Sequence, residues 1–189
     1  MSDVFNLSET IVTERLELTP LRVADADAMV DVLADPALHA FIGGDPPTRD
    51  DLVARYRAQT AGPAPGGGET WRNWIVRERP SLRPIGFVQA TIQDAGDGTG
   101  GSAEIAWVIG TAWQGRGYAT EAARALVARL ESAGIRSIVA HVHPDHVASA
   151  TVAERAGLVP TGQMVDGERV WRRTVSEPGA SGPDSATRR

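Results

Sequence analysis

The stretch from Ala103 to Ala133 constrains this chain most. It opens with a strand-like run, Glu104-Ile105-Ala106-Trp107-Val108-Ile109, passes through the glycine-bearing loop Gln114-Gly115-Arg116-Gly117-Tyr118-Ala119, and enters an alanine-rich segment of helical character. Glycine lets the backbone approach a ligand with no Cβ in the way. A helix starting there aims its first unpaired N–H groups and the positive end of its dipole at the same point. The arrangement is a seat for an anion, and it suits a phosphate or pyrophosphate.

Two common phosphate loops do not fit. A nucleoside-triphosphate loop needs Lys followed by Ser or Thr at the helix start, where this chain has Tyr118 and Ala119. A dinucleotide fingerprint needs a third glycine and an acidic residue ending a second strand, and neither is evident. The remaining pattern, Gln-x-x-Gly-x-Ala directly before a helix, resembles the pyrophosphate motif of the GNAT superfamily of acetyl-coenzyme A-dependent N-acetyltransferases. An ordinary glycine-rich connection is the alternative at this point.

Composition narrows the classes. A chain of 189 residues suffices for one well-cored domain and is short for two. Nineteen basic against twenty-four acidic residues give a net charge of −5, which disfavours nucleic acid as a partner. With no cysteine, disulfides, thiolate metal sites and an acyl-cysteine intermediate are excluded. The N-terminus lacks the basic and apolar regions of a secretory signal, and no window reaches membrane-spanning length, so the cytoplasm is the expected compartment and no membrane partner is expected.

Along the chain, residues 1–14 read as an extended lead-in, and Arg15 to Thr19 alternates like a half-buried strand ending at Pro20. Ala24 to Ala34 has helical spacing, and Ala37 to Ile42 can continue as a second helical piece. Thr48 is an N-cap, with Asp51 completing a capping box, for a helix over about Arg49 to Ala58. The Ala61 to Gly68 run is a surface loop. Trp71 to Arg77, Ile85 to Ile92 and Ser102 to Ile109 read as an antiparallel meander. The Asp94 to Gly101 tract is a hairpin turn and not a calcium loop, because its acidic ligands are incompletely spaced and the twelfth position is Ile105. Arg136 to His143 is a strand with Ile138, Ala140 and Val142 on one face and Val139, His141 and His143 on the other. Asp145 caps a helix from about His146 to Ala156 closed by Gly157, and Leu158 to Thr161 pairs with Arg169 to Val175 across an Asp166-Gly167 turn. Residues 176–189 carry no hydrophobic pattern and read as a disordered tail.

This order of elements over residues 15–175 is similar to the GNAT fold. Thr-Glu-Arg-Leu-Glu-Leu-Thr-Pro, Gly-Tyr-Ala-Thr-Glu-Ala at Gly117 to Ala122 and Glu-Arg-Ala-Gly-Leu at Glu154 to Leu158 resemble the branch of ribosomal-protein alanine acetyltransferases. The resemblance implies a mixed α+β, three-layer fold: a mostly antiparallel central sheet, splayed at the strand before the coenzyme loop, with helices on both faces. It also implies acetyl transfer from acetyl-CoA to a primary amine, of a protein N-terminus or a small molecule, with no metal. A coenzyme A-binding sensor of the same fold is the alternative.

By position, the resemblance sets the pantetheine arm against a bulge at Trp107, Val108 and Ile109, with the Val108 N–H or its immediate neighbour as oxyanion donor. Gln114, Gly115, Arg116, Gly117, Tyr118, Ala119 and Thr120 would hold the pyrophosphate. Glu104 is the candidate base, with His141 and His143 as alternatives. Those two with His146 make an unconvincing metal set, since no carboxylate at suitable spacing completes it. The family's usual Asn and Tyr positions hold His146 and Ala153, both departures. Ser149 matches a serine of the resembled branch that protonates the thiolate or contacts coenzyme. Acceptor selection is expected between Pro36 and Arg72, where Trp71 and Trp74 can line a cleft and Asp45 or Glu69 can attract an ammonium group. A place for both tryptophans in the core or at a homodimer contact is the alternative.

Overall fold

The computed structural model describes residues 9–62, 69–93 and 101–175. The short strand β1 (Ile11–Val12) pairs antiparallel with β2 (Leu16–Pro20), so the lead-in contributes two residues to the sheet. A single 3-10 turn leads into α1 (Ala26–Val32), followed by α2 (Pro36–Ile42) and α3 (Arg49–Thr60). Local chemistry explains the starts of the last two. The Asp35 carboxylate accepts from the Ala37 N–H with Pro36 in the first turn, and Thr48 and Asp51 form the expected capping box.

The meander consists of β3 (Glu69–Glu78), β4 (Arg83–Gln93) and β5 (Gly101–Ile109). After it come α4 (Tyr118–Ser132), β6 (Ile135–Val142), α5 (Val147–Arg155), β7 (Val159–Val165) and β8 (Glu168–Thr174). The eight strands form one sheet in the order β1-β2-β3-β4-β5-β6-β8-β7, antiparallel except where β5 meets β6. Asp166 and Gly167, both at positive φ (50° and 84°), make the β7–β8 turn. The glycine-rich loop beyond Gly62, the Asp94 to Gly100 turn and the 176–189 tail lie outside the described residues.

Each sheet face has its own core, and this is what makes three layers. Tyr118, Ala122, Ala123, Leu126, Val127 and Leu130 form the buried stripe of α4, three to four residues apart, and pack with Val88, Ala90, Ala103, Ile105 and Ile138 on one face. Met29, Val32, Leu52 and Tyr56 from α1 and α3 pack on Ile75 and Val108 on the other. Alternation along β5 therefore points Glu104 and Ala106, with Val108, toward the α1–α3 side.

Two local expectations are corrected. The N-cap of α5 is His146, not Asp145, and it makes no side-chain cap bond. The Asp145 N–H donates to His143 Nδ1 (3.2 Å) and its carbonyl accepts from Val147 (3.0 Å), a tight turn that delays the helix by one residue. Trp74 is core, with its indole N–H donating to the Glu9 carbonyl at 3.1 Å, whereas Trp71 is exposed.

Candidate active site

The loop before α4 presents an open, donor-rich face. Gly115 and Gly117 have φ of +74° and +79°, the left-handed region that a side chain rarely tolerates, and Gly117 is the N-cap. No side chain caps α4, so its first N–H groups lack a side-chain acceptor. A Cβ built on Gly115 would meet nothing within 4 Å, and one on Gly117 would meet only Arg15 Nη2 at 3.5 Å. A diphosphate fits these residues because α4 starts with uncapped N–H groups beside an open, glycine-lined loop. Two of the loop's side chains bond back to the protein, buried Tyr118 and exposed Gln114. The Tyr118 hydroxyl donates to Glu78, and the Gln114 amide donates to the Ile109 carbonyl at 2.9 Å. Exposed Arg116, half-buried Ala119 and Thr120, and the backbone of Gly115 and Gly117 remain at the surface.

Arg15 holds this loop from behind. Its Nη1 donates to the Arg116 carbonyl (3.0 Å), its Nε to Glu121 Oε2 (2.7 Å), and its guanidinium lies 4.8 Å from the centroid of the Tyr118 ring. The Thr13 hydroxyl and the Arg15 N–H also donate to Glu121 Oε1, at 2.6 and 2.9 Å. Partial burial alone would push the Glu121 carboxyl up, but these bonds outweigh it and hold it below its usual value. A peptide plane is trans, with C=O and N–H opposed. A carbonyl pinned to Arg15 therefore turns the Gly117 N–H away from Arg15 and toward the open face.

The splay is at β5. Its pairing with β4 runs unbroken from Ser102 to Ile109, while its pairing with β6 stops at Glu104 opposite Val139. Beyond that point β6 continues with β8 alone. The expected bulge is thus absent from the β4 side; the parting comes from loss of β6, and the register irregularity on that side lies between Gly101 and Ser102. The Gly110 N–H donates to the Ile85 carbonyl at 2.8 Å, so alternation of antiparallel pairs turns the Val108 N–H toward Phe87 on β4. The groups of Trp107 and Ile109 face the gap, in agreement with the Gln114 bond to the Ile109 carbonyl. Gly86 is obligatory here, since a Cβ on it would lie 2.1 Å from the Val108 oxygen.

The gap opens into a cleft of about 470 Å³ between β5, β6, the start of α5 and the end of α2. All four histidines of the chain, His39, His141, His143 and His146, line it together with Glu104, Trp107, Val108 and Ser149. Glu104, about half exposed, stands 3.5 Å from His141 Nδ1. Phe41 stacks on the His146 ring (centroids 4.1 Å apart, 18° between planes) and tilts against His143. Burial, then the neighbouring His143, pushes the His146 imidazole below its ordinary value, so it is neutral at pH 7. Among the described residues no group of three or more His, Asp or Glu is arranged to hold a metal ion. Of the acceptor candidates, Asp45 lines the cleft; Glu69 instead accepts from Gln93 at 2.8 Å, and Trp71 is not part of the wall. Sequence reasoning missed Phe41, Arg55 and Glu168 in the wall and Arg15 behind the loop. Only Arg15 left a signal, in its Thr-Glu-Arg-Leu motif.

The acetyltransferase (GNAT) domain family matches residues 15–159. The chain belongs to the GNAT acetyltransferase family. It is similar to the uncharacterized N-acetyltransferase p20 of Bacillus licheniformis, 28% identical over 169 residues, or 88% of this chain and 92% of that protein. Among solved structures, RimL, a ribosomal-protein alpha-N-acetyltransferase in complex with coenzyme A, has a TM-score of 0.69 at 18% identity, covering 88% of this chain and 98% of its own. An aminoglycoside acetyltransferase in complex with coenzyme A has a TM-score of 0.66 at 20% identity, covering 84% and 94%. Both share the fold. The protein is an acyltransferase enzyme of this family, carrying acetyl from acetyl-CoA to an amine.

Proposed function

We propose that the gap-facing edge of β5 and the open loop before α4 bind acetyl-CoA in one line, with the reacting amine delivered to Glu104. The observation that carries this reading is the end of β5–β6 pairing at Glu104, which leaves free backbone groups leading from the loop to that carboxylate. The N–H groups of Gly115, Gly117 and Ala119, with Arg116, hold the diphosphate. Gln114, Tyr118 and Thr120 shape the loop, and the Ile109 N–H and the groups of Trp107 pair with the pantetheine arm.

Acetyl-CoA supplies the activated acyl group, and each remaining task falls to a residue. Trp107, the neighbour of Val108 whose N–H faces the gap nearest Glu104, donates to the oxygen that gains charge as the carbonyl is attacked. Val108 packs beneath it. Glu104, directly or through a water, takes the proton of the incoming ammonium, and His141 at 3.5 Å can share that proton. The nitrogen bonds to the acetyl carbon as the carbon–sulfur bond breaks. The sulfur receives its proton from the Ser149 hydroxyl, which recovers it from the water-filled cleft. In net, an ammonium and a thioester give an amide, a free thiol and one proton. Neutral His146, at the family's Asn position, keeps one ring N–H to offer the coenzyme.

Release of free thiol from acetyl-CoA against a panel of amines tests the reading. Glu104→Gln lowers kcat by about 100-fold while the Kd for acetyl-CoA stays put. Unaltered turnover moves the base to His141, His143 or solvent. Tight coenzyme binding with no thiol release from any amine contradicts the assigned transfer.

A further inference from the structure

The catalytic cleft is not one chamber. Arg55, Phe87 and Gln89 belong both to its wall and to that of a smaller hollow of about 110 Å³ beneath α3. Apolar surface predominates in its wall, from Leu21, Leu33 and Ile75, with Gln59 and Asn73 adding side-chain amides. Tyr56, also in its wall, is a neutral phenol whose hydroxyl burial pushes up to about 12. Among the described residues no carboxylate lines this inner space and Arg55 stands only at its mouth with the cleft, so its interior suits an uncharged substituent. For scale, a dry cavity of about 150 Å³ holds benzene. The smaller volume here fits a branched aliphatic group of about four carbons.

Arg55 stands at the threshold between the two spaces. Among the described residues it has no hydrogen bond and no ion pair. Asp51, one turn earlier on α3, is in position to pair with it. That carboxylate is hydrogen-bonded by Thr48, whose hydroxyl and N–H donate to it at 2.6 and 3.0 Å, and Arg55 acts on it only through space. Arg55 is the one arginine of the cleft wall; the other formal charges there are the carboxylates of Asp45, Glu104 and Glu168. A substrate seated in the cleft thus meets the Glu104 carboxylate, the Arg55 guanidinium at the threshold, and a hollow of mainly apolar surface behind it. A polycationic amine would set a second positive charge against Arg55. A peptide N-terminus would offer it only a neutral amide.

Resting on the acetyl-transfer reading above, we propose that the acceptor is a free amino acid with an aliphatic side chain. Its amine lies at Glu104, its carboxylate pairs with Arg55, and its side chain enters the hollow beneath α3. The products are the N-acetyl amino acid and free coenzyme A.

The test compares L-leucine with 3-methylbutylamine, which is leucine without its carboxylate, and with leucinamide, glycine, spermidine and an alanine-initiated peptide. Thiol release is measured for the wild type and Arg55→Met. Charge-assisted pairing predicts a leucine preference over 3-methylbutylamine on the order of 10- to 100-fold in kcat/KM. Glycine, which leaves the hollow empty, falls behind leucine by about 10-fold or more. In Arg55→Met the preference over 3-methylbutylamine disappears, whereas Arg57→Met, a control on the same helix, retains it. Preference for spermidine, the peptide or 3-methylbutylamine overturns the proposal, as does a leucine preference that survives Arg55→Met. Thiol release with the wrong acceptors refutes only the acceptor assignment; no release with any amine refutes the transfer reading beneath it.

Discussion

Gly117 takes a φ of +79°, which side chains rarely adopt, and a Cβ there would point at Arg15 Nη2, 3.5 Å away. Gly117→Asp strains the backbone and adds a negative charge to the loop proposed to hold the diphosphate, and should weaken acetyl-CoA binding by at least about 100-fold. A calorimetric titration checks it, and unchanged affinity would count against the loop assignment. His146 makes a prediction of another kind. Its folded-state value lies below that of the unfolded chain, so as pH falls the unfolded state takes up the proton first. Stability is therefore lost as pH falls below about 6.5 and on through the depressed folded value. His146→Asn should flatten this loss, seen as a smaller fall in urea midpoint from pH 7 to pH 5 than in the wild type. An equal fall in both would assign the titration elsewhere. At this scale the sequence is an uneven guide. Glu104 and Ser149 were expected near the coenzyme through the family resemblance and both line the cleft, but Phe41 over His146 joins residues more than a hundred positions apart, and no local pattern encodes that stack.

The elements differ in how they start, and the difference follows function. Helix α3 satisfies its own N-terminus through Thr48 and Asp51, while α4 begins at a bare glycine. Satisfied donors have nothing to offer a ligand; open ones do. Arg15 ties β2 to the first turn of α4, and Arg15→Ala should raise KM for acetyl-CoA by about 10-fold, the worth of a hydrogen bond to a charged group, with a smaller effect on kcat. A fall in kcat alone would remove Arg15 from coenzyme positioning. Leu126→Ala, emptying a fully buried site under α4, should lower unfolding free energy by about 2–5 kcal/mol in denaturant melts. Strands and helices were legible because burial repeats with period two or near 3.6, and the Thr48 box and the Asp166-Gly167 turn are written in adjacent residues. The parting of β5 from β6 was anticipated only through resemblance. It depends on where two strands distant in sequence stop pairing, and neither Glu104 nor Val139 shows that locally.

At the scale of the molecule, one sheet separates two cores, and the residues proposed to react collect where that sheet opens. Helices α1–α3 close one face above the cleft and α4–α5 bring their N-termini to the other side of the gap, so acceptor and coenzyme can approach from opposite directions. No described helix is long and apolar enough to cross a membrane. All nineteen basic residues are arginine. The chain therefore presents no lysine ε-amine to acetyl-CoA, and amide formation on an added acceptor can be read without that background. The central claim is that acetyl-CoA lies along the free edge of β5 with its diphosphate on the loop before α4. A crystal structure of the coenzyme A complex tests it most directly. The account predicts diphosphate density within hydrogen-bond distance of the Gly115, Gly117 and Ala119 N–H groups, and the sulfur near Ser149. Density on another surface, with the β5–β6 gap filled by protein, would contradict it.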